Sequence, residues 1–284
     1  MQVGRDTNAF VTGAANGIGR GISRALARAG ARVVLADIEA DTLEEARREV
    51  DAIRPGALAA TVDVSDPESM ARAARTAEEA FGAVHVLVNN AGVSAGRHTV
   101  ASLEPGQWDW LFGVNVHGVL NGVRAFLPGM LAHGQPGHVV NTASIGGLQV
   151  NPVLRNGSYA TTKYAVVAIS EAMRLDLENT AVGVSVFCPA LVHTTLDRSG
   201  SRRPARFGGP QGGMPVRAVQ DAVDMVPAVT PDEAGDRVVH GIRENEMFLF
   251  THAEVRPWLE ARHGRLMSGF DSLARFKEVR QGGS

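Results

Sequence analysis

Short apolar runs alternate with amphipathic stretches along most of this chain. Ala9–Thr12, Arg32–Ala36, Ala57–Val62, Val84–Val88, His138–Ala143 and Gly183–Phe187 are brief and rich in Val, Ala and Leu, as strands buried on both faces are. The stretches between them carry helical periodicity. Ile22, Ala25, Leu26 and Ala29 share one face ahead of a capping Gly30. Asp41-Thr42-Leu43-Glu44 reads as a capping box that opens a helix to about Ile53, and Ser65-Asp66-Pro67-Glu68 opens another to about Phe81. Helical patterns also cover Glu104–Leu131, with a break expected near Pro128, and Ser158–Thr180.

Six alternations of strand and helix imply a parallel sheet with right-handed crossovers, a doubly wound α/β fold of the Rossmann type. Helix restarts at the capping box Thr230-Pro231-Asp232-Glu233, Met247–Phe250 is a last strand, about the seventh, and Glu254 to about Phe276 is a terminal helix. No internal repeat or linker is visible. Residues 1–284 therefore read as one domain with an irregular lid at 197–229 and a C-terminal extension at 251–284.

Composition narrows the function classes. With 44% hydrophobic and 20% charged residues the chain is of the soluble globular kind. A formal net charge of -2 gives no electrostatic reason to expect nucleic acid or an anionic membrane as partner. No apolar run approaches the ~20 residues of a membrane span. The start, Met1-Gln2-Val3-Gly4-Arg5-Asp6, lacks a signal-peptide pattern. Cys188 is the only cysteine, so no intrachain disulfide can form and a reducing, cytoplasmic compartment is expected. The histidines show neither His-Glu-x-x-His nor paired Cys/His spacing, and no metal is expected.

The candidate chemistry begins where the first strand feeds Gly13-Ala14-Ala15-Asn16-Gly17-Ile18-Gly19 and then a helix. Such a turn lets backbone approach a dinucleotide pyrophosphate, and the helix N-terminus offers free N–H groups to the anion. Asp37 ends the second strand about 20 residues on, where an acid can accept from the adenosine ribose hydroxyls. It would repel the extra phosphate of NADP, and neither Asn16 nor Ile38 is basic, so NAD is the expected cofactor and NADP the less favoured one. Further along, Ser144 closes a strand, and Tyr159 and Lys163 sit four apart on one helix face. An ammonium beside the phenol is expected to lower its pKa from about 10.

With these motifs and Asn89-Asn90-Ala91-Gly92 in order, the chain resembles the short-chain dehydrogenase/reductase superfamily from Phe10 to Thr195. The resemblance implies a catalytic tetrad of Asn115, Ser144, Tyr159 and Lys163. Tyr159 would exchange a proton with the substrate oxygen, Ser144 would orient that oxygen, Lys163 would hold the nicotinamide ribose, and Asn115 would support a water. It also implies cofactor contacts from Gly13, Asn16, Gly17, Ile18, Gly19, Asp37, Ile38, Asp63, Val64, Asn90, Ala91 and Gly92. Pro189, Val192 and Thr194 fit a family turn beside the nicotinamide, although Ala190 replaces a glycine there and puts its backbone path in question. Cys188 beside that turn reads as a buried structural thiol.

Trp108-Asp109-Trp110, Gly113–Val119, Pro136–Val140 and Arg203–Gly208 are similar to a subgroup that includes Cα-dehydrogenases of lignin-derived aryl ethers. That similarity implies a bulky secondary alcohol or ketone as substrate. A non-catalytic dinucleotide sensor and an NADPH-dependent carbonyl reductase are the competing readings. The apolar residues Val114, Val116, Val119, Leu120, Ala165, Val166, Val167 and Ala168 are more than one sheet face can cover, and the resemblance implies that their helices pair across a two-fold axis in a homodimer or homotetramer. Arg198, Arg202, Arg203 and Arg206 follow the sixth strand; either one or two of them meet an anionic substrate group over the nicotinamide, or they are solvated or pair with Asp197 and Asp221.

Overall fold

Successive residues along each strand face opposite sides of the sheet, and the core divides accordingly. Val11, Leu35 and Val88 pack into one apolar cluster, while Phe10, Val34 and Leu87, their immediate neighbours in sequence, pack into another. The computed structural model describes residues 1–96, 98–150, 156–212 and 226–282. Among them, β1 (Asn8–Thr12), β2 (Arg32–Asp37), β3 (Leu58–Thr61), β4 (Val86–Asn89), β5 (Gly137–Thr142), β6 (Val182–Cys188) and β7 (Phe248–Phe250) form one parallel sheet in the order β3-β2-β1-β4-β5-β6-β7. Every pairing is parallel. The order reverses between β1 and β4, the place where open α/β sheets leave a ligand crevice at the strands' carboxyl ends.

Helices cover both faces. α1 (Gly17–Arg28), α2 (Ala40–Ile53) and, late in the chain, α7 (Pro231–Glu244) bury Ile22, Leu26, Leu43, Val50, Val238 and Ile242 on one side. α3 (Pro67–Phe81), α5 (Gly118–Ala132) and α6 (Gly157–Asp176) bury Met70, Phe126, Met130 and Met173 on the other, where the Phe126 and Phe10 ring centroids are 4.4 Å apart. Burial of a side chain of this size stabilises the fold by roughly 1.5–3 kcal/mol. α4 (Pro105–Phe112) precedes α5.

Two helix expectations need correction. The break in the 104–131 pattern is not at Pro128, which lies inside α5. It is a π-helical turn, Gly113–His117, in which the Gly118 N–H reaches back to Gly113 O. The reason is Asn115: its amide bonds both backbone groups of Val93, which holds it inward at the expense of one regular turn. The capping box expected at Asp41 is absent as well. α2 starts at Ala40 with Glu39 as N-cap, because Asp37 Oδ1 accepts from the N–H groups of Ile38 (2.7 Å) and Glu39 (3.2 Å) and turns the chain at once. The capping box at Thr230 and the Asp66 cap ahead of Pro67 form as expected.

α1 and α7 cross in near backbone contact. A Cβ at Gly21 would lie 1.9 Å from Pro231 O, and one at Gly235 would lie 2.4 Å from Gly21 O, so only glycines fit. Arg24 then reaches both oxygens of Asp232 at 2.9 and 3.0 Å, and Arg28 reaches Asp236 at 2.9 Å. The chain divides into two compact units, Met1–Thr251 and His252–Ser284. The second contains α8 (Arg256–Gly282), which runs beyond the expected end near Phe276 and exposes Leu266, Phe270 and Phe276. No described helix is long and apolar enough to cross a membrane.

Candidate active site

β5 delivers its last residues to the crevice, and Ser144 caps the short turn Ile145–Gly147 that follows, its hydroxyl accepting from Gly146 N at 3.1 Å. α6 packs beside this turn with Tyr159 and Lys163 one helical turn apart and both buried. The Lys163 ammonium donates to Thr142 O at 2.7 Å and lies 5.6 Å from the centre of the Tyr159 ring. Cys188, at the end of β6, is buried, and that burial pushes its thiol up to about 12, which fits an inert structural role.

The electrostatics depart from the expectation that Lys163 lowers the tyrosine. Burial dominates and pushes Tyr159 up to about 12, with the Ser144 hydroxyl, in hydrogen-bonding reach, pulling weakly the other way. Burial likewise pushes Lys163 down to about 8. The ammonium is turned to the Thr142 carbonyl rather than to the phenol oxygen, which is why spacing on the helix alone misjudged the balance.

Asn115 is fully buried, its Oδ1 accepting from Val93 N at 2.8 Å. Its Nδ2 donates to Val93 O at 3.0 Å and to Thr162 Oγ1 at 2.9 Å. The side chain thus joins the loop after β4 to the helix turn next to Lys163.

One cavity runs from this group to the end of β2. Its wall includes Tyr159 and Lys163 at one end and, of the residues expected to meet a dinucleotide, Gly13, Asn16, Gly17, Ile18, Asp37, Ile38, Asp63, Val64, Asn90, Ala91, Gly92, Pro189 and Thr194. Gly19 and Val192 stand behind the wall, and neither Asn115 nor Ser144 is on it. Gly19 matters indirectly: a Cβ there would fall 2.1 Å from Gly13 O and push the turn apart. Thr12 pins the opposite loop, its hydroxyl accepting from Asn90 N at 2.9 Å and Ala91 N at 3.0 Å. Asp37 closes the turn from below through Ala15 N at 3.0 Å. A glycine cradle open at a helix start, with a carboxylate about one strand away, fits a dinucleotide.

Arg202, Arg203 and Arg206 find partners that neither reading named, while Arg198 is exposed, as the solvated reading expected. Arg202 pairs with Glu39 at 2.9 Å, and Arg206 bonds Asp63 and, at 2.7 Å, Ser65. Burial alone would raise Asp63, but Ser65 and Arg206 hold it below the usual carboxylate range. Arg203 is buried and donates to Gly209 O at 2.8 Å. Arg198 makes no side-chain hydrogen bond or ion pair among the described residues, and Asp221 and Gly213 lie outside them. Glu39 and Ser65 were not foreseen as neighbours of the cavity, nor were Glu39 and Asp63 as the partners of Arg202 and Arg206. Glu39 directly follows the Asp37-Ile38 pair and could have been suspected, whereas nothing local signals which acids the arginines meet. Ala190 needs no glycine backbone, since Asn245 is the described non-glycine residue with positive φ. Its N–H donates to Thr251 Oγ1 at 3.1 Å. Half of the apolar residues read as a subunit interface, Val116, Val119, Val166 and Val167, are already buried within the chain.

Residues 7–204 match the family model described as short chain dehydrogenase. A Cα-dehydrogenase from Sphingobium sp. strain SYK-6 is 30% identical over 260 residues, 90% of this chain and 84% of that one. A 1-deoxy-11-beta-hydroxypentalenate dehydrogenase from Streptomyces exfoliatus is 33% identical over 258 residues, 87% and 84% of the two chains. The crystal structure of a short chain dehydrogenase/reductase from Burkholderia phymatum in complex with NAD superimposes with a TM-score of 0.87 at 32% identity, over 95% of this chain and 96% of that one. The chain belongs to the short chain dehydrogenase family.

Proposed function

We propose that this oxidoreductase interconverts a bulky secondary alcohol and its ketone with NAD. The observation that carries the reading is the single cavity bearing Tyr159 and Lys163 at one end and the glycine turn with Asp37 at the other. Gly13, Asn16, Gly17, Ile18 and Asp37 would hold the dinucleotide, whose nicotinamide supplies hydride exchange when bound. Tyr159 holds the proton at its phenol oxygen and passes it to or from the substrate oxygen. Ser144, set behind the wall but in hydrogen-bonding reach of that phenol, would help to orient the substrate oxygen beside it. Lys163 brings a buried positive charge that favours the phenolate during transfer, and Asn115 fixes the loop and helix that frame it. Trp110 on the cavity wall and the similarity to the Cα-dehydrogenase support a large, aromatic-tolerant substrate.

The test is NAD reduction against a panel of aryl and alicyclic secondary alcohols, with Tyr159→Phe alongside. The variant keeps the ring and loses the proton, so turnover should fall by about 10²–10⁴ while NADH still binds. Near-normal turnover in Tyr159→Phe would move the chemistry to another site.

A further inference from the structure

The absence of a basic residue at Asn16 and Ile38 does not leave the adenosine corner without one. Asn16, Asp37, Ile38, Glu39 and Arg202 line the same cavity. Asp37 is committed to the turn by three backbone N–H groups, those of Ala15, Ile38 and Glu39. Glu39 is shared: one oxygen accepts from Asn16 Nδ2 at 3.2 Å and the other from Arg202 Nε at 2.9 Å. Among the described residues Arg202 donates one further, long hydrogen bond, to Thr195 Oγ1 at 3.4 Å. A guanidinium carries five N–H donors in a fork that suits a phosphate, so most of its donors are unspent among the described residues. Its side chain is 35% exposed and that of Glu39 28%, which leaves both open to the cavity.

We infer that Arg202 is a cofactor-selecting residue held in check by Glu39. The inference rests on the dinucleotide reading above and concerns its adenosine end. A dinucleotide with a free 2′-hydroxyl meets a neutral Glu39–Arg202 pair. One with a 2′-phosphate meets two carboxylates and a guanidinium whose charge is already matched, and is rejected. Selectivity therefore resides in three residues, two of them acidic, and not in Asp37 alone. Removing the charge of Glu39 has two effects, less repulsion and a released guanidinium, and a second substitution separates them.

The experiment is calorimetric binding of ADP-ribose and 2′-phospho-ADP-ribose, which needs no turnover. The parent should prefer ADP-ribose by at least about tenfold, equivalent to about 1.4 kcal/mol. Glu39→Gln, which keeps an oxygen for Asn16, should narrow that preference by about tenfold. Glu39→Gln with Arg202→Ala should return most of the lost preference, whereas Arg202→Ala alone should change the ratio little. Equal ratios in Glu39→Gln and in the double variant would overturn the role of Arg202 while leaving the enzyme reading intact. Failure of the parent to bind ADP-ribose at all would overturn both.

Discussion

The opposite demands placed on Tyr159 by burial and by Lys163 can be separated by pH. The phenol is pushed up to about 12 in the folded, cofactor-free protein, against about 10 in an unfolded chain. A raised folded pKa means that the native state keeps a proton the unfolded state gives up. The contribution of Tyr159 is therefore complete below pH 10 and is lost as pH climbs toward 12. Two units correspond to about 2.7 kcal/mol, and at pH 11 about half of that should be gone. Urea unfolding of the parent and of Tyr159→Phe between pH 8 and 11 measures it as a difference, because groups common to both proteins cancel. The parent should lose about 1.4 kcal/mol more than the variant over that interval. Absorbance at 295 nm provides a second reading. The chain has two tyrosines, so the parent-minus-variant titration isolates one phenol. Ionisation of Tyr159 at or below pH 10 in the cofactor-free protein would refute the reasoning and show that the Lys163 charge outweighs burial.

Gly19→Ala puts a methyl group against Gly13 O, and overpacking of this kind costs about 1–3 kcal/mol. Because the displaced backbone is the glycine turn, NADH affinity should fall by at least about tenfold; an unchanged dissociation constant by NADH fluorescence would count against the cradle. Self-association should appear in sedimentation as a mass at least double the 30.0 kDa of the chain. A monomer at micromolar concentration would remove the two-fold pairing of α5 and α6.

What the sequence disclosed was whatever local chemistry writes into a few neighbouring residues. The succession of strands and helices, the glycine turn, the Asp37 strand end and the Ser144, Tyr159 and Lys163 set all declare themselves within about twenty residues or by the alternation of apolar runs. The π turn did not, because Asn115 gains its reason only from Val93 and Thr162, which are distant in the chain and adjacent in space. Pro128 drew attention as a helix breaker, yet α5 continues through it without its N–H. The arginine clasp was illegible for the same cause: Arg206 and Asp63 are 143 positions apart. The pKa of Tyr159 depends on how deeply α6 is buried, and no helix-face diagram contains that depth.

The crossing of α1 and α7 bears on how the molecule is made. The glycine-turn helix leaves the ribosome well before the helix that fits against Gly21, Arg24 and Asp232 being 208 residues apart. Domains emerge at roughly 5–20 residues per second, so the nascent α1 spends about ten seconds or more without its partner. Contacts of such long range also slow folding. Completion of the cofactor cradle is thus a late event, and a chain released before Gly235 would hold the nucleotide-binding sequence without its backing helix.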